Sequence, residues 1–213
     1  MTSTATATAP TRRTQAERRA RTRHLLLDAT LDCLAERGYG ATTTTLVSER
    51  AGVSRGAQLH HFPTRAELVA AAVEHLFAEL TSDYRAAFAE LPPDESRLRA
   101  AIALLWSMYQ KPRWPAALEL DTAARTDPDL HAQLVSVSQA HRRNISELAA
   151  RYFPELADDQ ERFEDLLTVI LDTMYGMAVR RLLHGDEARI EQVLATLGDA
   201  AMALLETSAD TRV

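Results

Sequence analysis

Ten arginines fall within the first 65 residues, at 12, 13, 18, 19, 21, 23, 37, 50, 55 and 65, against five acids, Glu17, Asp28, Asp32, Glu36 and Glu49. That is a local balance of +5. The other 148 residues carry 14 basic and 25 acidic groups, a balance of −11, so the overall charge of −6 joins a basic module to an acidic one. A basic module suits phosphate, and the acidic one does not. Hydroxyls and imidazoles lie among the arginines: threonines from Thr42 to Thr45, then Ser54, His60 and His61. Taken alone, an arginine-rich helix is more often a solvated face than a contact surface, so its meaning depends on the segment that follows it. His60 and His61 do not read as a metal pair, because neighbouring helical residues point about 100° apart. No Cys or further His lies three or four positions from them, and no metal or cofactor is expected. Catalysis is not expected either, since the chain has no Gly-x-Ser-x-Gly, His-Glu-x-x-His, phosphate loop or dinucleotide fingerprint.

The elements that would position these groups read as helices throughout. Residues 1–14 are small and polar without periodicity, which predicts a flexible arm. Leu26, Ala29, Thr30, Cys33 and Leu34 then repeat at the spacing of one buried face, and Gly38 supplies a stop, so the first helix is expected over about 15–37. Thr43 or Thr44 can cap a short helix containing Val47 and Ala51 that ends at Gly52. Ser54 can cap a second one over about 55–61. Two short helices around a tight glycine turn make a helix-turn-helix. Thr64 and Glu67 have capping-box spacing for a longer linking helix, expected over 66–80. Helices are expected beyond it over about 95–110, from Asp127-Pro128 to about 152, over 159–184 and over 187–207. The segment Lys111 to Pro115 interrupts them. Cys33 is the only cysteine, which excludes an intramolecular disulfide and suits core filling. No apolar run approaches the roughly 20 residues of a membrane span, and the opening residues lack a leader pattern, so a cytoplasmic location is expected.

From Ala16 to Leu68 the chain resembles the DNA-binding domain of the tetracycline-repressor (TetR) family. The resemblance rests on Gly38-Tyr39 with Thr42 and Thr43, on Ala51-Gly52-Val53-Ser54, and on Gly56 to Phe62 leading into Thr64-Arg65. It implies an all-α protein of about nine helices, with a helix-turn-helix domain over 15–65 and a ligand-binding and dimerisation domain over 81–213. It further implies that the helix after Ser54 enters the major groove, where Arg55 can bond guanine or phosphate and Gly56 allows close approach. On the same basis His60 and His61 contact base or backbone, Thr43, Thr44 and Thr45 sit where a helix N-terminus meets phosphate, and Arg65 flanks that backbone. Relatives commonly have Leu then Tyr where this chain has Gln58 then Leu59. Either Gln58 is half-buried while Leu59 touches a thymine methyl, or the helix is slightly rotated.

For the acidic module the resemblance implies a homodimer, a small-molecule effector and repression of transcription at a palindromic operator. A DNA-binding architectural protein or an activator without an effector is the alternative. Phe163, Leu166, Leu167, Ile170, Leu171, Met174, Met177 and Ala178 form one broad apolar stripe; Ile190, Val193, Leu194, Leu197, Ala201 and Leu204 form another. Paired between subunits, they would make a four-helix interface. Trp106, Tyr109, Trp114, Leu118, Asp121, His141, Met174 and Tyr175 are the candidate lining of a cavity for a hydrophobic or mixed ligand.

Overall fold

The architecture follows from a series of helix caps. A computed structural model describes residues 14–91, 97–157, 159–185 and 187–210, with the side chains of 156 and 204–210 excepted. The expected arm at 1–13 and the Leu204 side chain therefore lie outside the described residues. Thr14, expected to belong to the arm, instead caps α1 (Gln15–Ala41): its hydroxyl accepts from the Glu17 amide, and Glu17 reaches back to the Thr14 amide. The helix is interrupted where expected, at Gly38, with φ 73° and ψ 171°. Thr43 caps α2 (Thr44–Ala51), which ends on left-handed Gly52, and Ser54 caps α3 (Arg55–His61).

Thr64 caps α4 (Arg65–Phe88), two turns longer than the expected linking helix because Leu80, Thr81, Tyr84 and Phe88 continue its buried face. The linking helix is thus also a wall of the second module. Next comes α5 (Arg97–Tyr109). The interruption around Lys111 to Pro115 is confined to residues 110–113, since Pro115 occupies a first-turn position of α6 (Trp114–Ala124), a helix the sequence reading did not assign. Asp127 caps α7 (Pro128–Tyr152) by accepting from the Leu130 amide; α8 (Pro154–Ala157) is one turn; α9 (Gln160–His184) and α10 (Glu187–Asp210) complete the chain.

The described residues thus form nine helices of seven residues or more and one single turn, with no strand. Leu26, Leu27, Leu31, Leu34, Val47, Leu68 and Val69 are the sealed centre of the N-terminal unit. Burying each such side chain contributes about 1.5–3 kcal/mol. The core continues without a gap through α4 into Leu120, Leu130, Ile145, Ile170 and Met174. Cys33 is fully buried and its thiol pKa is raised chiefly by that burial, so it is inert filling. Among the described residues no helix is long and apolar enough to cross a membrane.

Candidate nucleic-acid interface and effector cavity

The turn between α2 and α3 is built from short-range bonds. Gly52 takes the left-handed conformation (φ 64°), letting the Val53 amide donate back to the Ser48 carbonyl at 3.0 Å. Ser54 then restarts the helix by accepting from Ala57 N at 3.2 Å. This presents Ser54, Arg55, Gly56, Leu59 and His60 to solvent on one side of α3, with His61 half-buried beside them. The Thr43 hydroxyl accepts from Leu46 N at 3.2 Å; Thr45 is exposed next to it and Thr44 is half-buried. A Cβ at Gly56 would meet nothing within 4 Å, so the fold itself has no need of glycine there. Burial, then the charges of Arg19, His60 and Arg23, lower the His61 pKa, which places these α1 arginines close to the end of α3.

Two expected contact residues sit elsewhere. Gln58 is completely buried; its Nε2 donates to the Phe62 carbonyl at 2.8 Å, and its Oε1 is buried with no hydrogen-bond partner among the described residues. It therefore anchors α3 from beneath, and its neighbour Leu59, 47% exposed, occupies the outer face. Gln58 is thus fully rather than half-buried, with Leu59 turned outward. Arg65 does not point at the outside either: Nε donates to the Thr42 carbonyl at 2.8 Å, Nη2 donates to the Tyr39 carbonyl, and the guanidinium stacks over the Tyr39 ring at 3.8 Å. Both carbonyls belong to the end of α1, so Arg65 clamps α4 onto α1 instead of lying open to a phosphate.

In the second module, α4, α5, α6, α7 and α9 line a partly open cavity of about 200 Å³. Of the expected lining residues, Tyr109, Trp114, Asp121, His141 and Tyr175 face it. Trp106, Leu118 and Met174 do not: Trp106 and Met174 are sealed in the core, Trp106 stacking behind Tyr109, and Leu118 packs against the core from outside the lining. Phe77, Leu80 and Tyr84 of α4 and Arg142 of α7 line it unanticipated. The sequence reading gave these residues no role, since only the packing of α4 on α7 brings them to one wall. Part of the wall is an aromatic cluster: Tyr109 and Trp114 lie 5.0 Å apart, and Trp114 meets Tyr175 edge to face at 5.6 Å.

Polar groups break that wall at two places. His141 stacks on Phe77 at 3.9 Å, its Nδ1 is buried with no hydrogen-bond partner among the described residues, and burial lowers its pKa to about 4, so it is neutral near pH 7. Opposite, Tyr175 donates to Asp121 at 3.2 Å; desolvation raises the Asp121 pKa despite that bond.

The cavity wall and the positive face are mechanically joined through α6. At its start, Arg113 donates to Asp28 and Asp32 of α1, both at 2.8 Å. From its middle, Glu119 accepts from the Tyr39 amide at 3.2 Å, and a Cβ on Gly38 would sit 2.8 Å from the same carboxylate. Just past its end, the Asp127 carboxylate that caps α7 accepts from the Tyr39 hydroxyl at 2.7 Å. Gly38 is thus required for its backbone conformation, whereas a Cβ there would meet only the flexible end of Glu119.

At the surface of α9 and α10, much of the expected pairing stripe is consumed inside one chain. Phe163, Leu167, Ile170, Met174, Leu197 and Ala201 are buried, and α10 lies against α5, where Arg99 pairs with Asp199. What remains open is another face of α9, where Val169, Gly176 and Leu183 recur every seven residues, with Thr173 and Arg180 between them. A groove of about 350 Å³ runs beside it toward α10.

Comparison with known proteins agrees with this geometry. Residues 26–72 match the family described as bacterial regulatory proteins, tetR family. The HTH-type transcriptional regulator CymR of Pseudomonas putida is 34% identical over 184 residues, 86% of this chain and 91% of that protein. A transcriptional regulator from Rhodococcus sp. Rha1 superposes with a TM-score of 0.67 at 22% identity, covering 87% of this chain and 96% of its own. The multidrug binding protein EbrR, solved in complex with imidazole, superposes at 0.55 with 23% identity, covering 82% and 93%.

Proposed function

Because the chain belongs to the TetR family of bacterial transcriptional regulators, DNA-binding proteins and not enzymes, we propose that it is an effector-released repressor that binds a palindromic operator as a homodimer. On this reading α3 lies in the major groove, with Arg55 reading a base edge and Gly56 giving room for the sugar-phosphate backbone. The half-turn of α2 around Thr43 and Thr45 meets phosphate, as does the α1 face carrying Arg19 and Arg23. The groove-facing group after Gln58 is the Leu59 side chain, suited to a thymine methyl. A regulator reading chromosomal DNA works in the cytoplasm.

The observation that carries the effector reading is that α6 is at once a wall of the cavity and the element tied to α1 at Asp28, Asp32 and Tyr39. A cavity of about 200 Å³ suits a molecule of roughly one substituted ring, since about 150 Å³ accommodates benzene. Its body would stack among Trp114, Tyr109 and Phe77, and a polar edge would meet Nδ1 of His141 or the Tyr175–Asp121 pair. That EbrR is a multidrug binding protein complexed with imidazole supports a small, partly polar ring in such a fold. Dimerisation is assigned to the Val169, Gly176 and Leu183 face of α9, where the bare Gly176 backbone admits a close partner helix.

The test is reciprocal calorimetry. The operator is first selected from random duplexes, and small aromatic candidates are then titrated into the free protein and into its operator complex. A hundredfold loss of DNA affinity requires about 2.7 kcal/mol of coupling, and operator must weaken effector binding by the same factor. Equal effector affinities in both titrations would refute effector-driven release.

A further inference from the structure

One cluster of donor groups belongs neither to the DNA face nor to the cavity. His24 and Asp28 are one helical turn apart on α1; His75 and Glu79 are one turn apart on α4, facing them across the joint between the two helices. The donor atoms of His24, Asp28 and His75 all lie within 4.8 Å of one another. His24 Nε2 is 3.4 Å from Asp28 Oδ2, and His75 Nε2 is 3.6 Å from Asp28 Oδ1 and 3.3 Å from Glu79 Oε1.

These separations are long for hydrogen bonds, which for N–H···O lie near 2.7–3.2 Å. The His24–Asp28 and His75–Glu79 separations match the ~3.3 Å edge of a tetrahedron whose ligands stand about 2.0–2.1 Å from a central ion. The His75 Nε2 atom is shielded from solvent yet has no hydrogen-bond partner among the described residues, a cost that a bound cation would remove. Charge favours the same occupant. Asp28 and Glu79 carry two negative charges at the cluster, and Arg113, which pairs with Asp28, is shared with Asp32. Arg113 Nη1 holds Asp28 Oδ1 at 2.8 Å, leaving Oδ2 to face His24 as a ligand oriented from behind.

We propose that His24, Asp28 and His75 bind one first-row divalent transition-metal ion of the Zn²⁺ class, with Glu79 or water as the fourth ligand. Two imidazoles with one or two carboxylates favour such an ion over Mg²⁺ or Ca²⁺, which take oxygen ligands. The ion would pin the first helix of the DNA-binding unit to the helix that lines the effector cavity, and this inference stands whether or not an effector exists.

The experiment uses the full chain, stripped of metal, titrated with Zn²⁺ against a chromophoric chelator and, separately, with Co²⁺ followed by visible absorption. One Zn²⁺ per chain at micromolar or tighter affinity is expected, with Co²⁺ giving the intense bands of a four-coordinate site. His24→Ala and His75→Ala should each weaken binding about tenfold or more, while His131→Ala, on the exposed face of α7, should leave it unchanged. His24 is exposed, so His24→Ala tests the site without risk to the fold; circular dichroism of each metal-free variant monitors folding. Absence of Zn²⁺ binding at about a hundredfold above micromolar, Co²⁺ remaining six-coordinate, or full affinity in a folded His24→Ala variant would each overturn the assignment.

Discussion

Arg55 and Arg65 carry the same charge ten residues apart and are put to opposite uses. Arg55 stands exposed at the first position of α3, whereas Arg65 donates to two carbonyls at the end of α1 and stacks on Tyr39. Arg55→Ala should therefore cost about 1–3 kcal/mol of operator affinity and relax discrimination at one base pair without loss of stability. Arg65→Ala should lower unfolding free energy by about 2–3 kcal/mol in urea titration while the salt slope of DNA binding stays put. A reduced slope with unchanged stability would return Arg65 to the phosphate footprint. His141 gives a second test at this scale. Its folded pKa, about 4, lies below the unfolded value near 6.5, so the unfolded chain takes up the proton first. Above pH 6.5 the residue contributes no pH dependence; as pH falls from 6.5 toward 4, stability drops by up to about 1.4 kcal/mol per unit. Wild type should lose about 2 kcal/mol more than His141→Leu between pH 7.5 and pH 5 in urea unfolding, and parallel curves would contradict the burial argument.

Among the elements, α9 shows why an apolar stripe does not by itself identify an interface. Leu197 of α10, and Ile170 and Met174 of α9, are buried within one chain, so a charge placed there would test the core. Val169 and Leu183 are 55% and 76% exposed on the seven-residue face of α9, where a charge is tolerated by the isolated subunit. Leu183→Glu should convert the dimer to a folded monomer in sedimentation velocity, with thermal unfolding measured alongside. A variant still dimeric at micromolar concentration would move the interface elsewhere. The kink at Gly38 is the other element-scale device, since it turns the end of α1 so that Tyr39 reaches both α6 and α7.

Across the whole molecule, those ties would let the proposed effector cavity act as a lever. The effector need not act through α4 alone, because α6 joins the lining residues Trp114 and Asp121 to α1 at Arg113 and Glu119. Tyr39→Phe removes the Asp127 bond while keeping the ring under Arg65. It should leave operator affinity in the absence of effector within about twofold and shrink the effector-induced loss of affinity several-fold, as read by fluorescence anisotropy. Unaltered coupling in this variant would route the signal through α4.

Much of this was legible in the chain itself. The cap residues Thr43, Ser54, Thr64 and Asp127, the stop at Gly38 and the buried face from Leu26 to Leu34 are local features. Helix capping and periodicity act within a few residues, and they specify the same helices in the folded protein. The charge asymmetry likewise marked the basic face. Tertiary structure alone decided which side of α3 Gln58 would take, and that Arg65 would clamp instead of reach. It also set the lining of the cavity by residues from helices as far apart in sequence as Phe77 and Tyr175. The His24, Asp28 and His75 cluster is the clearest case. Each helix contributes an unremarkable pair one turn apart, and only the packing of α1 on α4 brings nitrogens 51 residues apart in sequence around one carboxylate. Local sequence dictates backbone conformation because its energetics are short-ranged, whereas chemistry between distant side chains exists only after the core has chosen which helix faces meet.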